Sequence, residues 1–512
     1  MKRVQQKVHS AFSPRRQRMF LIAAGIALQF AIYVVLLVLF SQYFVYFYWI
    51  CVLVSLVMAL FISTWKSKLA YKIAWIIPIL LVPLIGGVMF IILGGARDPH
   101  YHREETRRTL KRQLPSRLST TDLMRYGPDA MQQAWYLGHA ALCPAYTNTE
   151  TAYFSSGASF FPNFLEELEQ AKDYIFLEYF IIDEGLMWGR ILEVLARKAA
   201  SGVDVRVMYD GTCEFSTLPR DYPKRLEALG IRCKVFAPVT PFVSTHYNYR
   251  DHRKILVIDG RVGFTGGVNL ADEYINHVEK YGRWKDAAVM LEGEGVRSMT
   301  ALFLQMWSVL QEPEFEQFLR PEVPAARAEG FVVPYGDCPL DGERVGEMVY
   351  IDLLNRARKY VHIITPYLIL DGELETALRF AAERGVDVHL ILPGVPDKRF
   401  AYALAKTHYK ALLSSGVKIS EWTPGFTHAK LVVMDGVEAV VGTINLDYRS
   451  LYHHFENAVW MRRVGSIRDM ETDFQDTLAR CRTVEATLQS VWQGKKLLRL
   501  MGLLLKVIAP LM

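Results

Sequence analysis

Apolar positions are distributed unevenly along the chain. Three uncharged runs crowd the N-terminal end: residues 19–40 (MFLIAAGIALQFAIYVVLLVLF), 43–62 (YFVYFYWICVLVSLVMALFI) and 73–96 (IAWIIPILLVPLIGGVMFIILGGA). About 20 apolar residues cross the hydrocarbon core of a bilayer, so each run is long enough for a membrane helix. Residues 19–96 are therefore predicted to form a transmembrane helical region of two or three segments. A signal peptide would have a shorter apolar core and a small-residue cleavage site, so removal is not expected. The third run carries Pro78, Pro83 and the pair Gly86-Gly87, which leaves a re-entrant or interfacial hairpin open beside a full span.

Beyond about residue 140 the pattern changes to short apolar strands alternating with amphipathic helices. IFLEYFII (175–182) reads as a buried strand, GRILEVLARKAA (189–200) as a helix and GVDVRVMYDG (202–211) as a second strand. The same order returns in VHIITPYLIL (361–370), LETALRFAAERG (374–385) and GVDVHLILPG (385–394). The tetrapeptide Gly-Val-Asp-Val recurs at 202 and 385, which marks an internal duplication. Strand–helix–strand alternation makes each copy an α/β unit around a largely parallel sheet. The predicted division is a basic tail (1–18), the membrane region (19–96), a basic linker (97–140), two α/β repeats (141–325 and 326–493) and an amphipathic C-terminal helix (494–512).

Charge bears on topology and partners. Residues 1–18 hold six Lys/Arg and no acid, which favours a cytoplasmic N-terminus, and Lys66, Lys68 and Lys72 place the loop after the second run on the same side. Residues 97–117 hold seven Arg/Lys against three acids and also argue for inside, so three full spans and the charge rule conflict. The net charge of +6 sits near the membrane segments, which suits an anionic lipid surface and not a nucleic-acid groove. Cys51, Cys143, Cys213, Cys233, Cys338 and Cys481 lack metal-type spacing and read as packed free thiols.

The chemistry lies in two stretches, DHRKILVID (251–259) and THAKLVVMD (427–435). On a strand, residues two apart share a face, so His252 projects with Lys254 and His428 with Lys430. A neutral imidazole beside an ammonium suits nucleophilic attack on an anionic phosphorus. Six residues after Asp259 comes GGVN (266–269), and six after Asp435 comes GTIN (442–445). Gly267 and Thr443 are expected to let backbone amides approach phosphate oxygens, with Asn269 and Asn445 donating to them. One His-x-Lys pair would be an ordinary strand; two, in matching contexts, indicate phosphodiester chemistry.

These residues resemble the paired HKD motifs of the phospholipase D superfamily, and within it the bacterial cardiolipin synthases. YGRWKDAAV (281–289), TPYLILDGEL (365–374) and NLDYRSLYHHFENAV (445–459) fit that subgroup, although its members commonly have two hydrophobic segments where this chain offers three. The resemblance implies a duplicated phospholipase D-like α/β fold, with two repeats about a pseudo-two-fold axis sharing one site. It implies that His252 is the nucleophile and His428 the acid and base, and that Lys254, Lys430, Asn269 and Asn445 hold the phosphate. Asp259 and Asp435 lie on the other strand face and are expected to orient structure. Asp286 and Glu456 are expected behind the imidazoles, as the third member of a triad is. No carboxylate cluster calls for a metal, and no cofactor is expected.

The expected activity is transphosphatidylation of two phosphatidylglycerol molecules to cardiolipin and glycerol, in a multi-pass protein of the bacterial plasma membrane. A phospholipase D-type hydrolase, a transferase using phosphatidylethanolamine as donor, a membrane-tethered nuclease and a catalytically silent scaffold remain alternatives. The motifs by themselves warrant phosphodiester exchange; the lipid comes from the resemblance.

Overall fold

The computed structural model describes residues 14–39, 41–65, 68–91, 123–238, 249–308, 317–319 and 328–511. The start of the basic tail, the end of the third apolar run and most of the basic linker lie outside these residues. The chain divides into an N-terminal helical unit and a larger α/β unit.

In the first unit the apolar runs form the helices Pro14–Leu39, Ser41–Ser63, Leu69–Leu81 and Pro83–Met89. Among the described residues one segment, Val45–Ser63, is both long and apolar enough to cross a membrane, with a mean hydropathy of 2.5. Ala23–Leu36 and Leu69–Leu81 are shorter apolar stretches. Two or three spans are thus not supported among the described residues, and the third run shows a visible reason. Helix Leu69–Leu81 ends at Val82 (φ −133°), and a new helix restarts with Pro83 in its first turn, where a missing N–H costs nothing. A Cβ on Gly86 would lie 2.3 Å from the Pro78 carbonyl oxygen, so glycine lets the two short helices approach closely. Ser55 donates to the Pro83 carbonyl at 3.1 Å, supplying a partner within an apolar setting.

The α/β unit contains both repeats. The first contributes β1 (Thr149–Phe154), β2 (Tyr174–Tyr179), β3 (Asp204–Asp210), β4 (Arg232–Phe236), β5 (Arg250–Asp251), β6 (Lys254–Ile258), β7 (Val262–Gly266), β8 (Arg283–Lys285) and β9 (Ala288–Gly293). The second contributes β10 (Phe331–Asp337), β11 (Tyr360–Ile364), β12 (Asp387–Pro393), β13 (Lys418–Trp422), β14 (Gly425–Thr427), β15 (Leu431–Met434), β16 (Glu438–Gly442), β17 (His454–Arg462) and β18 (Cys481–Thr483). One sheet runs β1-β9-β7-β6-β2-β3-β4 and the other β10-β17-β16-β15-β11-β12-β13-β18. Strand for strand, the two orders match until β18 extends the second. The sheets are mixed: β2, β3 and β4 run parallel, as do β11, β12 and β13, while the motif strands β6 and β15 pair antiparallel to β2 and β11.

Period-two alternation explains why the motif strands are apolar throughout. Ile255 and Val257 of β6 face one hydrophobic cluster with Leu431 and Val433 of β15, filled by the helix Val296–Trp307 and by Ile467, Met470 and Phe474 of the helix Ser466–Leu478. Leu256 and Ile258 face a second cluster under the first repeat's outer helices. Val432 and Met434 face a third under the second repeat's. Strands buried on both faces read as continuous hydrophobic runs.

Each motif ends in a hairpin. Asp259-Gly260 and Asp435-Gly436 all have positive φ, and Arg261 and Val437 donate back to the carbonyls of Ile258 and Met434 at 2.9 Å, closing type I′ turns. All six cysteines are free thiols. The C-terminal helix Lys496–Ile508 leaves Leu497, Leu500, Leu503, Leu504 and Val507 exposed. Its Gly502 packs so closely on the helix Arg399–Ser414 that a Cβ there would meet the Ala403 carbonyl at 2.6 Å.

Candidate active site

Two short cross-repeat ladders build the site. β5 runs parallel to the start of β17, and His252 N–H then donates to the Phe455 carbonyl at 2.9 Å. β14 runs parallel to β8, and His428 N–H donates to the Lys285 carbonyl at 2.7 Å. The residue after Phe455 is Glu456, and the residue after Lys285 is Asp286. Each histidine is thereby delivered to a carboxylate of the other repeat. His252 Nδ1 lies 2.9 and 3.0 Å from the two oxygens of Glu456, and His428 Nδ1 lies 2.9 Å from Asp286 Oδ2. All four residues are buried.

Burial, with the charge of Lys254 acting in the same sense, holds His252 well below its usual pKa against the opposing pull of Glu456. Burial and the Lys430 ammonium lower His428 to about 4. Burial would raise both carboxylates, but His428 outweighs it at Asp286, and His252 with His454 outweighs it at Glu456, so both sit below the usual range. An ionised carboxylate only accepts, so a neutral imidazole facing it places its proton on Nδ1 and its lone pair on Nε2.

The lysines differ in what they touch. Lys254 Nζ donates to the His252 carbonyl at 2.8 Å and stands 5.7 Å from the Phe180 ring centre. Lys430 Nζ lies 2.5 Å from the His428 carbonyl and against the His428 ring, 2.9 Å from Nδ1 and 3.0 Å from Nε2. Burial lowers Lys254 to about 8 and Lys430 to about 7, opposed by Asp286 and Glu456. Each lysine feels both carboxylates, so the two motifs form one electrostatic cluster across the repeats.

The remaining sequence-predicted residues fall into place around this pair. Asp259 accepts the backbone N–H groups of Lys172, Asp173 and Tyr174, each at 2.8 Å, and Asp435 those of Arg358, Lys359 and Tyr360 at 2.8 to 2.9 Å. These bonds tie each hairpin turn to the start of the neighbouring strand. Asn269 accepts from Ile181 N–H at 3.1 Å and donates to the Tyr274 hydroxyl at 2.7 Å. Asn445 is buried, and its Oδ1 has no hydrogen-bond partner among the described residues.

Gly267 and Thr443 differ from expectation. Their amides donate to the carbonyls of Ala287 and Asn457, both at 2.9 Å, and so are not available to a phosphate. A Cβ at Gly267 would lie 1.9 Å from Asp286 Oδ1, so this glycine makes room for the carboxylate. The Thr443 hydroxyl donates to Glu456 Oε2. Both residues support the carboxylates behind the imidazoles.

Sequence reasoning missed the aromatic walls. Tyr274, Trp284 and Phe426 surround the His428 ring with centroid distances of 5.5, 5.5 and 5.9 Å. Phe180 and His454 flank His252 at 4.9 and 5.4 Å. Trp284 and His454 each stand two residues before a carboxylate, a matching offset visible in the sequence. His252, His454 and Glu456 place three potential metal-ligand atoms within 4.8 Å of one another, and Glu347, Asp371 and Glu373 form a second such group. The Lys254 ammonium beside the first opposes a cation there, and the Tyr452 hydroxyl donates into the second.

The family model described as "Cardiolipin synthase, PLD-like domain" matches residues 164–307 and 350–478. A cardiolipin synthase of Geobacillus kaustophilus is 32% identical over 428 residues, covering 81% of this chain and 84% of that one. An uncharacterized protein of Streptococcus mutans is 58% identical over 380 residues, covering 74% and 82%. The crystal structure of a phosphatidylserine synthase from Haemophilus influenzae superposes with a TM-score of 0.55 at 16% identity, covering 74% of this chain and 99% of that one. At that identity the likeness concerns the fold.

Proposed function

The chain belongs to the cardiolipin synthase family of phospholipase D-like enzymes and is a phosphatidyltransferase, and from that premise we propose that it converts two phosphatidylglycerol molecules into cardiolipin and glycerol. The observation carrying the mechanism is the crossed pairing of each histidine with the other repeat's carboxylate, combined with unequal lysines. Among the described residues no lysine ammonium lies within hydrogen-bonding distance of the His252 ring, whereas Lys430 Nζ lies within 3.0 Å of both ring nitrogens of His428. His252 is the nucleophile in this reading, and the His428–Lys430 pair carries the proton.

His252 Nε2 attacks phosphorus, the bond to the glycerol oxygen breaks, and that oxygen leaves with a proton from the His428–Lys430 pair. The pair then takes a proton from a hydroxyl of the second phosphatidylglycerol. The freed oxygen attacks phosphorus and releases His252, so the cycle closes without net proton change. Lys254 and Lys430 hold the non-bridging oxygens, whose charge grows in the transition state. Asn445 has an unpartnered end to offer a ligand, and Asn269 contributes through Tyr274. The reaction needs no metal in this scheme. The aromatic walls around His428 exclude water and favour a lipid hydroxyl as acceptor.

The helix Val45–Ser63 and the exposed leucines of Lys496–Ile508 support a site at a bacterial plasma membrane, close to anionic headgroups. Purified full-length protein in vesicles containing only phosphatidylglycerol should yield cardiolipin and glycerol in equal amounts. Phosphatidic acid as sole product would replace this reading with hydrolysis, and turnover only after adding phosphatidylethanolamine would change the donor.

A further inference from the structure

The cross-repeat ladders define an exact correspondence between the two halves of the site. Lys285, whose carbonyl accepts from His428, matches Phe455, whose carbonyl accepts from His252. One residue earlier, Trp284 therefore matches His454. The two occupy equivalent places: Trp284 lies 5.5 Å from the His428 ring and His454 lies 5.4 Å from the His252 ring. Each also presents a ring nitrogen to the local carboxylate. Trp284 Nε1 donates to Asp286 Oδ2 at 3.3 Å, and His454 Nδ1 stands 3.6 Å from Glu456 Oε1.

The two carboxylates are otherwise held differently. Asp286 accepts the Ala287 backbone N–H at 2.9 Å and rests on Gly267. The corresponding backbone N–H, that of Asn457, donates instead to the Thr443 hydroxyl at 3.0 Å. Among the described residues no backbone N–H donates to Glu456, which is also one methylene longer. His252 and Thr443 are its hydrogen-bonded partners, with His454 just beyond bonding distance. His454 is buried, and its Nδ1 has no hydrogen-bond partner among the described residues. Bonds at an empty site often tighten only when the reacting complex forms.

We propose that His454 is a positioning residue that steadies Glu456, and through it the Nδ1–H tautomer of His252, as Trp284 steadies Asp286 behind His428. The inference rests on the reading of His252 as nucleophile. When Nε2 of His252 takes the phosphatidyl group, its ring gains positive charge and draws on Glu456; a third donor keeps that carboxylate in the imidazole plane. Partners behind metal-ligating histidines contribute about 10–100-fold, and an effect of that order is expected for a partner behind a nucleophilic histidine.

The test compares His454→Phe, which keeps a ring and removes the nitrogen, with His454→Asn, whose amide N–H falls near the place of Nδ1. Full-length variants in phosphatidylglycerol vesicles are followed by rapid quench for the covalent phosphatidyl-enzyme, with KM and thermal midpoint measured in parallel. His454→Phe should slow adduct formation about 10–100-fold with KM within about twofold and an unchanged midpoint, and His454→Asn should recover most of the rate. Adduct formation by His454→Phe at the wild-type rate, or equal loss in both variants, would overturn the positioning role. Absence of adduct in the wild-type protein would instead remove the underlying reading of His252.

Discussion

At the scale of the residue, contacts at the imidazole rings support the proposed direction of a nearly symmetric site. Both imidazoles are buried against ionised carboxylates and kept neutral, so both expose an Nε2 lone pair. Lys430 against the His428 ring, close to both of its nitrogens, breaks the symmetry. The pH dependence should carry this signature. A lysine binds an anionic phosphate only while charged, and burial has brought Lys430 to about 7 and Lys254 to about 8. In kcat/KM, activity should therefore fall as pH rises through about 7 to 8. It should show no inflection at 6.5, where an unperturbed histidine titrates. Lys430→Arg should move the alkaline limb to higher pH whatever its amplitude, because guanidinium stays charged. A single limb at the ordinary histidine value would contradict the assignment.

At the scale of the element, the hairpin turns and the C-terminal helix make separate predictions. Asp259 and Asp435 cap three backbone amides each and occupy left-handed turn positions, so their contribution is to stability. Asp259→Ala should lower unfolding free energy by about 1–3 kcal/mol, read by denaturant titration of detergent-solubilised protein. Loss of activity without loss of stability would place these carboxylates in the chemistry instead. For the helix Lys496–Ile508, Leu500→Asp with Leu504→Asp should reduce turnover on anionic vesicles several-fold. Turnover of a short-chain soluble substrate should be unaffected, since each leucine buried in a membrane contributes about 1.5–3 kcal/mol. Equal loss on both substrates would indicate a structural role.

The same scale shows what a sequence discloses. The alternation of the residues leading into β6 and β15 exposed the pairing of His252 with Lys254 and of His428 with Lys430, because an extended chain's period is a local property. The Asp-Gly dipeptides at 259 and 435 also carried a local signal, that of a two-residue hairpin, and explain the motif aspartates better than their strand face does. Pro83 and Gly86 foretold the broken third run. The crossing of Asp286 to His428 and of Glu456 to His252 was legible only as candidate residues. It depends on strands of two and three residues pairing between distant parts of the chain, which no periodicity encodes. The true surroundings of Gly267 and Thr443 were hidden for the same reason: their amides are engaged by Ala287 and Asn457, across the sheet.

At the scale of the whole molecule, duplication supplies two histidine–lysine strands, and the exchange of short strands between repeats turns them into one site. Neither repeat holds a complete set, since each lends its carboxylate to the other's imidazole. Glu456→Gln should accordingly impair attack by His252 and Asp286→Asn the proton transfers of His428, each by about 10²–10⁴ in kcat. The central claim is that the phosphatidyl group passes through His252. The most direct measurement is a rapid alkaline quench during turnover of phosphatidylglycerol, followed by peptide mapping of the covalent adduct. The account predicts a phosphatidyl group on His252, absent from His252→Ala. An adduct on His428 in the wild-type protein, or cardiolipin synthesis persisting in His252→Ala, would contradict it.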